Sequence, residues 1–364
     1  QGETKTFPDA RMVWWAGGNP FHHHQDLNRL HEAFQTPETV IVNEMNWTAT
    51  ARHADIVLPV AAPQERTDFG AGKSDNALVP MPALTSLPGE ARVEYDIYAD
   101  LAGRMRVAPA FTEGKTSDDW LATIWQSTCE RGLEAGIKLP DWSEFIEGDA
   151  IFLPDPSPDQ VFLADFRANP NGAPLPTPSG KIELYSKVIA GFDLPDCKGH
   201  ATWFPPRDRA QNFTQSHPLA LISGQPKTRL HSQLDNGAYS LSHKVKDREP
   251  VIIHPADATA RGINDGDVVE LFNDRGRCLA GAKVSDEVMQ GCVFLWTGAW
   301  FDPDFAAPQA RDRHGNPNVL THDLRTSSLS QSPASHSAMV EVSKFVGDLP
   351  DITVHKPPSF SDDA

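Results

Sequence analysis

Donor-bearing side chains collect in a few short stretches of this chain, each at the end of an apolar, strand-like run. Residues 13–26, VWWAGGNPFHHHQD, lead from such a run into two glycines, Asn-Pro and three histidines. Gly17 and Gly18 permit close approach of backbone N–H groups to an anion, Asn19 offers an amide, and Pro20 suits the first position of a helix. The same four residues also read as a plain turn. Adjacent residues on a helix point about 100° apart, so His22, His23 and His24 cannot converge on one tetrahedral ion. One member facing back to the loop still serves a phosphate or a base.

A second strand-like run ends in NEMN. There Asn43 and Glu44 suit guanine, whose exocyclic amine and ring N–H a carboxylate accepts; alternatively Glu44 caps the next helix. Arg66 in PQERTDFG is a pyrophosphate ligand or one side of a surface ion pair, and Asp96 in VEYDIY a ligand or a helix cap. The densest run is SGQPKTRLHSQLDNG, with Gly224, Gln225, Lys227, Arg229, His231, Ser232 and Gln233 following a strand. HGNPNVLTHD and SSLSQSPASHS add Asn318, Gln331 and Ser335. No nucleophile elbow and no Walker loop is written in the sequence. Binding groups are plentiful, whereas a catalytic set is missing.

The elements that must position these groups divide the chain. Residues 8–110 alternate MVWWAG, DLNRLHEAFQ, TVIVNE, NWTATARH and ADIVLPV, a strand, helix, strand order that predicts a Rossmann-like parallel sheet. Ile97, Leu101 and Met105 share the face of a further helix. Residues 111–205 form a mixed α+β segment: helical DDWLATIWQ and DWSEFIE, proline-dense breaks, and KIELYS, whose alternation predicts a strand before a linker. Residues 206–350 turn to β. PLALIS, PVIIHP, the hairpin DVVELFNDRGRCLAGAKV, VFLWTGAW and AMVEVSKF predict a closed barrel with one helix at DATARG, and residues 351–364 are a tail.

Composition narrows the class. A chain of 364 residues holds more than one packed unit, and its formal charge of -17 opposes nucleic acid and anionic membrane surfaces. No apolar run approaches the roughly 20 residues that cross a bilayer, so no membrane insertion is expected. The four cysteines, Cys129, Cys197, Cys278 and Cys292, include no Cys-x-x-Cys pair, which leaves neither an iron–sulfur nor a zinc-ribbon pattern. The chain opens on Gln1, without a basic and apolar leader, and a piece of a longer protein is expected.

Taken together, WAGGNPFHHHQDLNRL, NEMNWTATARHADIVLPV, TPSGKIELYS, SGQPKTRLHSQLDNG, HPADATARGINDGDVVELFNDRGR, TGAWFDP and HGNPNVLT resemble the carboxy-terminal half of the molybdopterin oxidoreductases of the dimethyl sulfoxide reductase family, almost end to end. The similarity is greatest to the biotin sulfoxide, trimethylamine N-oxide and dimethyl sulfoxide reductases, with GQPKTRLHSQLD and DREPVIIHP leaning to biotin sulfoxide reductase. The resemblance implies a molybdenum ion held by two molybdopterin guanine dinucleotides, Mo-bis(molybdopterin guanine dinucleotide), and a double-psi β-barrel at the carboxy terminus. Gly18, Asn19, His23, Asn43, Glu44, Arg66 and Asp96 would then contact one dinucleotide. Residues 224–233, Asn318 and the 331–335 stretch would contact pterin and phosphate groups, and Trp300 is a candidate for the active-site funnel or a packing residue.

In these reductases a serine of the amino-terminal half ligates the metal, and nothing here matches that segment. The expected partners are therefore that missing half, an S-oxide or N-oxide substrate reduced by oxygen-atom transfer, and an external electron donor. The expected compartment is the cytoplasm, with the periplasm as the alternative. A catalytically silent guanine dinucleotide-binding module without molybdenum is the rival reading.

Overall fold

The computed structural model describes residues 6–73, 75–154, 161–206, 208, 216–307, 310–330 and 332–360. They pack as two compact units that are discontinuous in sequence. One comprises residues 1–42, 47–56 and 183–364; the other comprises 43–46 and 57–182. A reading of linear composition does not reveal such interleaving.

The amino-terminal strands β1 (Met12–Ala16), β2 (Thr39–Glu44) and β3 (Ile56–Pro59) form a three-stranded sheet in that order. Asp55 and Val60 donate to Val40 and Glu44 in turn, so β2 and β3 advance in the same direction. Val40, Ile41 and Val42 are all buried, as expected of a strand covered on both faces. Between β1 and β2, helix Leu27–Phe34 starts where the Asp26 carboxylate accepts from Arg29 N, and it buries Leu27 with Leu30 and Phe34 against the core.

The second unit carries the antiparallel sheet β4 (Asp68–Ala71), β5 (Ala77–Met81) and β6 (Ile151–Phe152). Helix Ser117–Glu134 begins with a reciprocal cap between Thr116 and Asp119, and Asp141 caps helix Trp142–Glu147. These helices bring Trp125 and Phe145 face to face at 3.7 Å over Leu78, with the Trp125 Nε1–H donating to Pro140 O.

Six strands of the first unit close into a barrel: β7 (Leu219–Ile222), β8 (Pro250–Ile253), β9 (Val268–Phe272), β10 (Arg277–Val284), β11 (Cys292–Leu295) and β14 (Met339–Lys344). The hydrogen-bonded ring runs β10-β8-β11-β7-β14-β9 and returns to β10. Parallel pairing joins β8 to β10 and β7 to β11; the other four contacts are antiparallel. Short strands β12 (Pro303–Asp304) and β13 (Arg311–Asp312) extend the sheet beside β10. Alternate residues point inward, so Leu219 and Leu221, Val251 and Ile253, Val269 and Leu271, and Val340 and Val342 fill one core. Gly281 on β10 admits the turn before β8, since a Cβ there would lie 2.2 Å from Val245 Cβ.

The predicted strand KIELYS is absent. TPSG does make its turn, where Gly180 adopts φ +68° and Gly180 N donates to Thr177 O. No sheet edge pairs with the residues that follow, and Ile182 and Leu184 are 64 % and 85 % exposed. Met105 ends its helix exposed rather than sharing the buried face. Among the described residues no helix is long and apolar enough to cross a membrane, and all four cysteines are free.

The barrel core makes a direct stability prediction. Leu279 on β10 is fully buried, and Leu279→Ala should cost about 2–5 kcal/mol of unfolding free energy, read as a lower urea midpoint at unchanged slope.

Candidate functional site

In the first unit the glycine loop sits at the exit of β1. Gly17 and Gly18 take φ +85° and +81°, a conformation that favours glycine, and open space lies where a Cβ would stand on either. Helix Pro20–His23 follows with Pro20 in its first turn. The Asn19 side chain is not a cap; its Oδ1 accepts from Thr50 Oγ1, which ties the loop to helix Ala49–Arg52.

The three histidines part company. His23 and His24 are exposed, while His22 is 3 % exposed and stacks on the Trp300 indole at 5.2 Å. Burial lowers the His22 pKa to about 3, so the ring is neutral, and its Nε2 is buried without a hydrogen-bond partner.

Around Trp300 lies a buried network of charges. Arg229 and Lys244 face Asp235 and Glu249: Lys244 Nζ is 2.8 Å from a carboxylate oxygen of each, and Arg229 is 3.4 Å from Asp235 and 3.1 Å from Glu249. All four side chains are at most 3 % exposed. The guanidinium also donates to Ser240 Oγ, His231 O and Thr297 O. These bonds correct the sequence expectation for Arg229, because its donors are consumed internally and it braces the loop instead of presenting a charge to a ligand.

Trp300 is likewise a packing residue. It is 4 % exposed, its Nε1–H donates to Ser232 O at 2.9 Å, its N–H donates to Asp235 Oδ2, and its carbonyl lies 2.9 Å from His314 Nδ1. Gly298 makes this approach possible: at φ +85°, any Cβ would stand 2.2 Å from His231 O.

Beyond β7 the rest of the 224–233 run is mixed, with Pro226 buried, Gly224, Thr228 and Ser232 half-buried and the others at the surface. Lys227, His231 and Gln233 are exposed, and Gln225 Oε1 is 3.5 Å from Thr297 Oγ1. Gly224 accepts from Thr297 N and leaves room for Phe294, whose Cζ would be 2.8 Å from a Cβ. Ser223 Oγ is buried without a hydrogen-bond partner. This serine was missed in the sequence; its position directly before Gly224 at a strand exit was the available signal. Asn318 is buried in the turn Pro317–Val319, where its Oδ1 accepts from Thr321 Oγ1. Ser335 opens the turn Ser335–Ser337, and Gln331 lies outside the described residues.

In the second unit Asn43 is buried and its amide donates to Glu94 Oε1 and the Tyr98 hydroxyl. Glu44 turns its carboxylate back to Met45 N. Arg66 pairs with Asp68, both half-buried, and Asp96 is exposed in the first turn of helix Glu94–Arg104.

Residues 3–104 match the family described as Molybdopterin oxidoreductase, and residues 219–339 match the Molydopterin dinucleotide binding domain. The chain belongs to the molybdopterin oxidoreductases. It is 42% identical to a trimethylamine-N-oxide reductase of Haemophilus influenzae, with 98% of this chain and 44% of the relative aligned. A dimethyl sulfoxide/trimethylamine N-oxide reductase of Cereibacter sphaeroides is 41% identical over 98% of this chain and 44% of its own length. The biotin sulfoxide reductase of that organism is 42% identical, over 96% and 47%. The chain thus spans less than half the length of these relatives. Among solved structures, acetylene hydratase from Pelobacter acetylenicus shares the fold with a TM-score of 0.66 at 18% identity, over 92% of this chain and 44% of that one.

Two predictions separate brace from ligand. Arg229→Met leaves two buried carboxylates facing one cation and should cost about 3–5 kcal/mol in denaturant unfolding, whereas Lys227→Met should stay within about 0.5 kcal/mol. For His22, a folded pKa near 3 against 6.5 means that its neutral burial stabilises fully above pH 6.5 and loses effect as pH falls towards 3. His22→Phe should therefore flatten the fall of the unfolding free energy with acidification across that window, by at most about 1.4 kcal/mol per pH unit, as read from denaturant titrations at each pH.

Proposed function

We propose that this chain is the carboxy-terminal, cofactor-binding portion of a molybdenum enzyme that reduces S-oxides or N-oxides by oxygen-atom transfer. The observation that carries the reading is the donor-rich run at the exit of β7, inside the segment that matches a dinucleotide-binding domain. Lys227 and His231 are exposed there, and Ser223 Oγ is buried and unpartnered. That donor set fits a phosphate- and amide-rich pterin dinucleotide. In the same sense, the open Gly17-Gly18 loop fits a close backbone approach to an anion, and the β1-β2-β3 sheet is the Rossmann-like unit that presents it. The closed barrel is the double-psi barrel of the family.

When bound, Mo-bis(molybdopterin guanine dinucleotide) supplies the redox and oxygen-transfer chemistry. The residues of this chain bind and orient it. Lys227 offsets phosphate charge, His231 and Gln225 supply hydrogen bonds at the surface, and the Arg229 brace holds the loop that carries them. Asn19, His23, Asn43, Glu44 and Asp96 remain proposed contacts for a guanosine, and Asn318 and Ser335 for pterin or phosphate groups.

The whole enzyme includes a region equivalent to the other half of its relatives, which provides the metal ligand, and draws electrons from an external donor. The relatives divide among trimethylamine N-oxide, dimethyl sulfoxide and biotin sulfoxide reductases at nearly equal identity. GQPKTRLHSQLD and DREPVIIHP support a biotin sulfoxide reductase type, and with it a cytoplasmic location.

The test is chemical analysis of the enzyme containing both halves, followed by assay with a reduced viologen dye and three oxidants. Molybdenum with two GMP released per metal on acid hydrolysis, and turnover of biotin sulfoxide in preference to trimethylamine N-oxide and dimethyl sulfoxide, are expected. Lys227→Gln should lower retained GMP several-fold. Absence of both GMP and molybdenum overturns the cofactor reading, GMP alone restores the silent module, and preference for another oxidant overturns only the subtype.

A further inference from the structure

Pro350 and residues 351–356, the latter read from composition as the start of a tail, are anchored along their length. Buried Arg248 donates to Pro350 O at 2.5 Å. The buried Asp302 carboxylate accepts from Thr353 N, Thr353 Oγ1 and Val354 N at 2.7, 2.6 and 3.2 Å, and Val354 is 1 % exposed. Arg52 donates to Lys356 O.

These anchors deliver His355 to the charge network. Its Nε2 is 3.2 Å from Asp235 Oδ2, the same oxygen that accepts from Trp300 N, and its ring meets Trp300 at 5.4 Å and His314 at 4.9 Å, edge to face. Trp300 in turn stacks on His22, three residues beyond Asn19 of the glycine loop.

Asp235, His314 and His355 also stand close enough to hold a metal ion. The charges argue against one. Two cations already balance the two carboxylates, and a divalent ion would leave an uncompensated double charge in a desolvated site.

We propose that the 350–356 segment is a clasp and that His355 is a positioning residue: by bonding Asp235, it fixes the Trp300 indole against His22 and so steadies the helix that follows the glycine loop. The consequence for a bound dinucleotide rests on the proposed function, whereas the positioning of Trp300 does not.

Two readouts on the full polypeptide keep these apart. In amide hydrogen exchange, His355→Ala should speed exchange at Trp300 N–H about tenfold, the equivalent of one charge-assisted hydrogen bond, and His355→Gln, which restores a donor to Asp235, should return it close to wild type. Val354→Ala, which removes apolar burial from the same segment, should lower the thermal midpoint without that local change. In the second readout, the rate of GMP loss after transfer to cofactor-free buffer should rise in His355→Ala and recover in His355→Gln. Wild-type exchange at Trp300 in His355→Ala, failure of Gln to rescue, or an equal local effect from Val354→Ala overturns the clasp. Stoichiometric zinc binding abolished by His355→Ala replaces it with a metal site. A wild-type protein that holds no GMP overturns the dinucleotide reading and leaves the exchange result to decide the clasp.

Discussion

The buried pairing of Arg229 and Lys244 with Asp235 and Glu249 is the constraint on which the arrangement beyond β7 depends. Each of these charges would be prohibitively costly alone in that environment, and each is tolerated because the other three are present. Irregular backbone lies in this region, with His231, Leu234, Lys246 and Asp247 all at positive φ. A network of this kind adds little net stability over an apolar core of equal volume. What it supplies is directional: the fork of Arg229 reaches His231 O and Thr297 O, and Asp235 reaches Trp300 N, so two separate loops are held in one register.

The barrel makes that register possible. Closing β9 on β10 pairs each of the six barrel strands on both sides and sets the exits of short strands at defined places. Gly281 and Gly298 act where backbone passes backbone, at the Val245 turn and at His231 O. Donors beyond β7 can therefore be divided between two tasks. Arg229 turns inward to brace, and Lys227, two residues earlier, turns outward towards solvent.

Much of the fold was legible because its periodicities are strong. MVWWA, TVIVNE, the helix after Asp26 and the hairpin around NDRG all formed where apolar spacing and turn residues placed them. KIELYS had the same alternation and formed no strand, because a strand also needs an edge to pair with, and that edge is not encoded nearby. In the small sheet, β5 pairs with β6 across more than seventy positions, which left little local trace.

The sequence by itself determined the family, the closed barrel, the strand-exit positions of the glycine and Gln-Pro-Lys runs, and the exclusion of metal chelation by three adjacent histidines. These are properties of local spacing and residue type, which act over a few residues. Tertiary structure alone decided that His22 rather than His23 is buried, that Arg229 and Trp300 serve packing, that Ser223 stands unpartnered, and that His355 reaches Asp235 across 120 positions. Burial and charge pairing depend on which distant groups share a desolvated volume, and that is a property of the closed fold.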